Sequence, residues 1–142
     1  MFGGERDQMR RVFFESWRKL QAGEAMEPLE QMVSSVVKAH PEYHPLLSDK
    51  ETGLSKEFQP EGGETNPFLH MAMHISLLEQ ISTDRPPGIA ELYRRHCKRL
   101  GDAHEVEHQL MECLGRMLWE AQSANRMPDE QAYLDCIRRL LG

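Results

Sequence analysis

The chain has 142 residues, of which 39% are apolar and 28% are charged, a composition typical of one ordinary folded domain. Its formal charge of -6 argues against a nucleic-acid or anionic-membrane partner, because both would repel the protein. The N-terminal sequence is charged and lacks the pattern of a signal peptide, and no apolar run reaches the length of a membrane span. We therefore expect a cytoplasmic protein without a membrane partner.

The first half of the chain predicts two helices followed by a long loop. Apolar residues at helical spacing over 5–22 indicate the first helix. The second helix begins near Pro28 and ends at His40, because Pro41 disfavours helical backbone in the residue before it. After a short helical turn, the polar segment 48–65 shows no apolar period and is predicted to be a loop.

The second half of the chain predicts four more helices. Asn66 and Pro67 have the properties of a cap and a first helical residue, so a third helix should run from there to about residue 82. A fourth is expected over 89–100, and Asp102 is placed to cap a fifth that reaches about residue 125. Strand-like alternation is absent. We predict an all-α protein, a compact bundle of about five to six helices in a single domain over 1–142, and the last helix carries Tyr133, Ile137, Leu140 and Leu141.

The cysteines and tryptophans are predicted to be structural. Cys97, Cys113 and Cys136 are odd in number, far apart and never in a C-x-x-C pair, so they should be reduced core residues. Trp17 and Trp119 are expected to anchor the core. None of these three cysteines and two tryptophans is predicted to have a catalytic or ligand-binding role.

Six of the seven histidines fall into pairs with one spacing, four residues apart. A random distribution would give roughly 0.3 such pairs, so chance is a poor explanation for three of them. Residues four apart lie on the same face of an α-helix, where two imidazoles can bind one metal ion. His96 stands alone. The three pairs are His40 with His44, His70 with His74, and His104 with His108.

The helical projection separates the three pairs by position. The pair in the third helix lies within its apolar stripe, and the pair in the fifth helix lies along the flank of its stripe. Histidines buried there need partners, since an unsatisfied ring nitrogen costs roughly 1 to 3 kcal/mol. We expect a shared transition-metal site, with zinc or iron as the ion, whose main ligands are His70, His74, His104 and His108. His40 and His44 would add ligands or supporting contacts.

Six imidazoles exceed what one zinc ion takes, so the pattern implies either two ions or histidines that support the ligands. A metal-dependent hydrolase or redox enzyme is one hypothesis, with Glu107 or Glu112 as the general base of a hydrolysis. Two known patterns fit poorly. The H-E-x-x-H match at His104 lacks the further ligand of zinc peptidases, and only one E-x-x-H motif is present where di-iron proteins need two.

The alternative is a non-catalytic interaction or scaffold protein. In that case the same histidines would form a buried hydrogen-bonded network with one another and with Glu42, Glu107 or Glu112. Whether the protein is an enzyme stays open at this point, as do a small-molecule substrate, a protein partner and the oligomeric state.

Several segments resemble a bacterial family known as domain of unknown function 1841. They are His40-Pro-Glu-Tyr-His44, Asn66 through His74, Thr83-Asp-Arg-Pro86, and His104 through Trp119-Glu-Ala-Gln122. The similarity covers nearly the whole chain. It implies an all-helical fold and a cytoplasmic bacterial setting, and it brings no assigned activity from which catalytic residues could be transferred.

Overall fold

The helices predicted from the sequence are present, with closely similar ends. The computed structural model describes residues 2–55 and 66–141. These residues contain no strand, and none of their helices combines the length and apolarity needed to cross a membrane. The all-α class is confirmed, but the predicted number of helices was too low. Seven helices have six or more residues: α1 (Phe2–Ala22), α2 (Pro28–Lys38), α4 (Lys50–Ser55), α5 (Pro67–Thr83), α6 (Ile89–Leu100), α7 (Ala103–Ser123) and α8 (Glu130–Leu140). A 3₁₀ turn, Pro41–Tyr43, and a single α-helical turn, α3 (His44–Leu47), lie between α2 and α4.

The additional helix, α4, lies in the segment 48–65 that was predicted to be a loop. The rest of that segment, 56–65, is outside the described residues. Contacts with α1 hold α4 in place. The buried guanidinium of Arg10 donates hydrogen bonds to the carbonyls of Gly53 (3.0 Å) and Leu54 (3.3 Å).

The close contact between α1 and α4 requires a glycine. A Cβ atom added at Gly53 would lie 2.3 Å from Cζ of Phe14 and 3.0 Å from the carbonyl oxygen of Leu46. Only a residue without a side chain allows this approach. These contacts come from residues far away in the sequence. The segment itself has no apolar period, so its own sequence did not indicate a helix.

Contacts divide the chain into two compact units, Met1–Ile75 and Ser76–Gly142. The single domain expected from the length stays a prediction. In the first unit α1 packs against α2, α3 and α4. Two polar contacts join α1 to α2: Lys19 Nζ pairs with Glu30 at 2.9 Å, and the buried Ser34 hydroxyl donates to the Ser16 carbonyl at 3.0 Å. The apolar core of this unit includes Phe13, Phe14, Val33, Val36, Val37, Leu47, Phe68, Met71 and Ile75.

In the second unit α7 packs against α6 and α8, and α6 also contacts α8. The N-terminus of α7 is capped as predicted, since the Asp102 carboxylate accepts from the Glu105 N–H at 3.2 Å. His96 is buried in α6, where its Nε2–H donates to the Ile137 carbonyl of α8 at 2.9 Å. The lone histidine therefore has a structural role. The core includes Leu77, Ile89, Leu92, Val106, Leu110, Met111, Leu114, Met117, Tyr133, Leu134 and Ile137.

Two of the three cysteines form a disulfide, so the expectation of three reduced cysteines was wrong for this pair. Cys113 of α7 and Cys136 of α8 are bonded, with their Cα atoms 5.9 Å apart, while Cys97 keeps its thiol. The two positions are 23 residues apart in sequence. The packing of α7 on α8 brings them together, and no spacing motif in the sequence indicates it.

The two tryptophans have different environments. Trp17 is half-buried on α1, whereas Trp119 on α7 is 68% exposed. The prediction that both anchor the core was therefore wrong for Trp119. Trp119 lies outside the buried face of α7, whose members on either side of it are Met117 and Ala121.

Candidate metal centre

The end of α2 positions His40 inside the first unit. The last carbonyls of a helix have no partner within the helix, and His40 satisfies one of them: its Nδ1–H donates to the Val36 carbonyl at 2.7 Å. A carbonyl oxygen can only accept, so Nδ1 carries the hydrogen and the neutral ring presents its lone pair at Nε2. His40 is fully buried. This is the orientation that a backbone carbonyl usually imposes on a metal-binding histidine.

The histidines of α5 lie against His40. The His40 ring centroid is 5.0 Å from that of His70 and 5.3 Å from that of His74, and both contacts are edge-to-face. His74 is only 1% exposed and His70 is half-buried, so the predicted inward orientation of this pair is observed. His40 and His74 offer ring nitrogens within 4.8 Å of one another. The structure thus brings His40, His70 and His74 together as one imidazole cluster, which we call the α2/α5 cluster.

Tyr43 also contacts the α2/α5 cluster, although the sequence did not indicate it as part of the site. Its ring is nearly parallel to that of His40, with centroids 5.4 Å apart, and meets the edge of His70 at 6.0 Å. Burial, followed by the charge of Glu42, raises the pKa of the Tyr43 phenol. The hydroxyl therefore remains protonated at neutral pH. In the sequence, Tyr43 was distinguished only by its position between His40 and His44. In the structure it is the last residue of the 3₁₀ turn.

His44 lies in a different environment from the other predicted ligands of the first unit. Its ring stacks on Trp17 with centroids 4.3 Å apart, and its Nε2–H donates to the Val37 carbonyl at 2.8 Å. Pro41 interrupts the helix between His40 and His44, so the two side chains do not share a helical face. Because the helix does not continue, the spacing of four residues no longer places the two histidines on one face.

The second unit carries the other predicted pair on α7. His104 and His108 are half-buried, and their ring centroids are 4.2 Å apart, as expected for residues one helical turn apart. Glu107 offers a carboxylate oxygen within 4.8 Å of a His104 nitrogen. Imidazole and carboxylate are donor types that can hold a metal ion, and His108 lies one turn from His104. We call these three residues the α7 set.

Glu107 is held by a residue that the sequence did not indicate. The Tyr93 hydroxyl of α6 donates to Glu107 Oε2 at 2.6 Å. Burial and this hydrogen bond raise the pKa of Tyr93, so the phenol stays a donor at neutral pH. The second candidate base, Glu112, is exposed on α7. The two glutamates predicted as alternatives therefore have different environments.

These features define an all-helical protein with a buried histidine cluster that could hold a metal ion. A family model described as Domain of unknown function (DUF1841) matches residues 5–139. The chain belongs to this family. Comparisons with curated proteins and with solved structures found no match.

Proposed function

We propose that the protein binds a transition metal, zinc or iron, through histidines that its helices hold in place. The observation that carries the proposal is the α2/α5 cluster. Three imidazole rings lie against one another there, ligand nitrogens of His40 and His74 lie within 4.8 Å of one another, and the carbonyl of Val36 fixes which nitrogen His40 presents. Neutral imidazole is a preferred ligand for both ions. Burial of His40 and His74 also supports the proposal, because ligands held in a dry and rigid setting lose little entropy on binding.

The α7 set extends the proposal to His104, His108 and Glu107. Structural zinc takes four protein ligands, and catalytic zinc takes about three. Ligand atoms of His40 and His74 lie within 4.8 Å of one another, as do those of His104 and Glu107, so each group shows two donors at that spacing. The number of ions per chain, and the variants that lose them, identify the ligands. Two ions, each lost in variants of one group alone, would assign one ion to each group. His44 would support the cluster through the end of α2, and it would not be a ligand.

We further propose that in any hydrolytic reaction Glu107 is not a ligand but the general base beside an ion held by the histidines. A bound metal would supply Lewis acidity, and the residues of this chain would supply proton transfer and orientation. Tyr93 donates to Glu107 Oε2, which holds that oxygen and orients the other one. Glu112 is the weaker candidate because it is exposed. Redox chemistry at an imidazole-bound iron is the alternative reaction class, in a cytoplasmic bacterial protein.

Elemental analysis of untagged protein, purified without chelator, tests the proposal. We expect at least about one equivalent of metal per chain, and loss of that metal in His74→Gln. His96→Gln is the matched control, because His96 is equally buried but bonds to the Ile137 carbonyl of α8. It should reduce stability and keep the metal. Metal-free wild-type protein, whose melting temperature does not respond to zinc, iron or chelator, would contradict metal binding.

One observation favours a second function, a non-catalytic scaffold. His44 and His96 each use Nε2 to bind a backbone carbonyl, so this fold does employ histidine as a structural residue. If the α2/α5 cluster did the same, His74→Gln would lower the melting temperature of protein that never contained metal. Elemental analysis combined with melting curves therefore separates the two functions.

A further inference from the structure

The Cys113–Cys136 disulfide forms part of the wall of a cavity in the second unit. The cavity has a volume of about 110 Å³ and lies between α7, α8 and the segment that connects them. Cys113 is 3% exposed, while Cys136 is half-buried and therefore the more accessible residue of the pair. This cavity lies within one unit and includes none of the histidines. Its chemistry is therefore independent of metal binding.

Arginines dominate the charge of the cavity wall. Arg116, Arg126 and Arg139 line it, together with the acidic residues Glu120 and Asp129. Both acids are engaged: Glu120 pairs with Arg116 at 3.0 Å, and Asp129 caps α8 by accepting from the Ala132 N–H at 3.0 Å.

The other two arginines are the ones available to a ligand. Arg139 donates through Nε to the Asp135 carbonyl at 3.3 Å, which leaves its terminal nitrogens as donors. Arg126 is exposed, and no hydrogen bond or ion pair of its guanidinium is found in the described chain. Two guanidinium groups beside a disulfide form a site for an anionic molecule that can react with sulfur.

We propose that this cavity binds a small anionic thiol, which exchanges with the Cys113–Cys136 disulfide. Arg126 and Arg139 would bind the carboxylate of the ligand. Its thiolate attacks Sγ of Cys136, the bond to Sγ of Cys113 breaks, and Cys113 leaves as a thiolate that takes up a proton. A second thiolate attacks the mixed disulfide at the ligand sulfur and releases Cys136. Two thiols are oxidised to one small disulfide, and the protein gains two cysteine thiols.

The predicted cytoplasmic setting supports a reversible bond. Disulfides in that compartment are mostly transient, and they serve catalysis or redox sensing rather than permanent stabilisation. The bond also joins α7 to α8, so its state determines whether the second unit contains a covalent cross-link between these helices. The cavity gives the exchange a selectivity that an isolated disulfide would lack.

The test compares an anionic with a neutral thiol on the full chain. Protein oxidised with hydroxyethyl disulfide is treated with 3-mercaptopropionate or 2-mercaptoethanol at equal thiolate concentration, then alkylated, and the labelled cysteines are counted by mass spectrometry. The oxidised protein should label at neither Cys113 nor Cys136. In the folded protein we expect 3-mercaptopropionate to reduce the disulfide about tenfold faster than 2-mercaptoethanol does. This preference is calculated after division by the ratio of the two rates in urea-unfolded protein, which corrects for the intrinsic reactivity of the two thiols. Added salt should reduce this preference.

Variants assign the preference to the cavity. The double variant Arg126→Ala with Arg139→Ala should remove it, while Arg95→Ala, which changes an exposed arginine of α6 outside the cavity, should keep it. Equal rates for both thiols in the folded protein would overturn the proposal. So would labelling of Cys113 and Cys136 after oxidation, because that result would mean that the bond does not form.

Discussion

The hydroxyl of Tyr93 donates a 2.6 Å hydrogen bond to Glu107, and so ties α6 to the carboxylate beside His104. Tyr133 makes a bond of the same length to Gln80 in the same unit, and neither residue belongs to the α7 set. The two tyrosines form a matched pair for experiment.

Tyr93→Phe should weaken metal binding and stability together. Loss of a hydrogen bond to a carboxylate costs about 2 kcal/mol of unfolding free energy, and loss of a group that orients a ligand lowers metal affinity about 10- to 100-fold. Competition titration with a chromophoric chelator and thermal unfolding measure the two effects. Tyr133→Phe should reduce stability alone. Equal metal affinity in both variants would remove Glu107 from the set of ligands and supporting residues.

Metal affinity should fall as the pH falls. A histidine must be neutral to bind a metal ion, so protons compete for every ligand nitrogen. With two or more histidine ligands, we expect the apparent affinity to drop at least about tenfold between pH 7.5 and 5.5, because free imidazole protonates near pH 6.5. Titrations at several pH values measure this, and proton release on binding gives the number of ligands. An affinity independent of pH would argue against imidazole ligands.

Arg10→Leu should destabilise the first unit by about 2 to 4 kcal/mol, because it leaves the carbonyls of Gly53 and Leu54 without the donor that reaches them. It also removes the guanidinium that lies 4.6 Å above the Phe68 ring. Arg11→Leu is the control, since its side chain is exposed on the same helix.

The same pair of variants tests the structure of α4 locally. Hydrogen exchange in α4 should accelerate in Arg10→Leu and stay unchanged in Arg11→Leu. Unchanged exchange in both variants would mean that α4 does not depend on the buried arginine.

Glu30→Gln should lower the melting temperature at pH 7, and the difference from wild type should shrink as the pH falls below about 4.3. The Glu27 N–H, and then the Lys19 ammonium, lower the pKa of the Glu30 carboxyl. A lowered pKa gives stability that is complete above the unfolded value, about 4.3, and is lost as the pH falls through the folded value. Glu79→Gln, at an exposed site, is the control. A constant difference from wild type at all pH values would exclude this linkage.

Local signals in the sequence determined most of the helix boundaries. Asn66 caps α5 as predicted, since its Oδ1 accepts from the N–H groups of Phe68 (3.0 Å) and Leu69 (3.3 Å). Gly101 ends α6 with a positive φ of 78°. Each signal acts within a few residues, because capping and turn geometry are local interactions. The spacing of the α5 and α7 histidine pairs was readable for the same reason.

Tertiary packing decided what depends on residues far apart in the chain. It formed α4 against Arg10, and it joined Cys113 to Cys136 across 23 residues. It also placed His44 on Trp17 while His40 turned to the α5 histidines, although the two belong to the same motif. Spacing along a helix defines a shared face only while the helix continues, and after a break the packing of other elements determines each side chain's surroundings. The sequence alone therefore determined which residues could bind a metal, and the folded chain decided which of them meet.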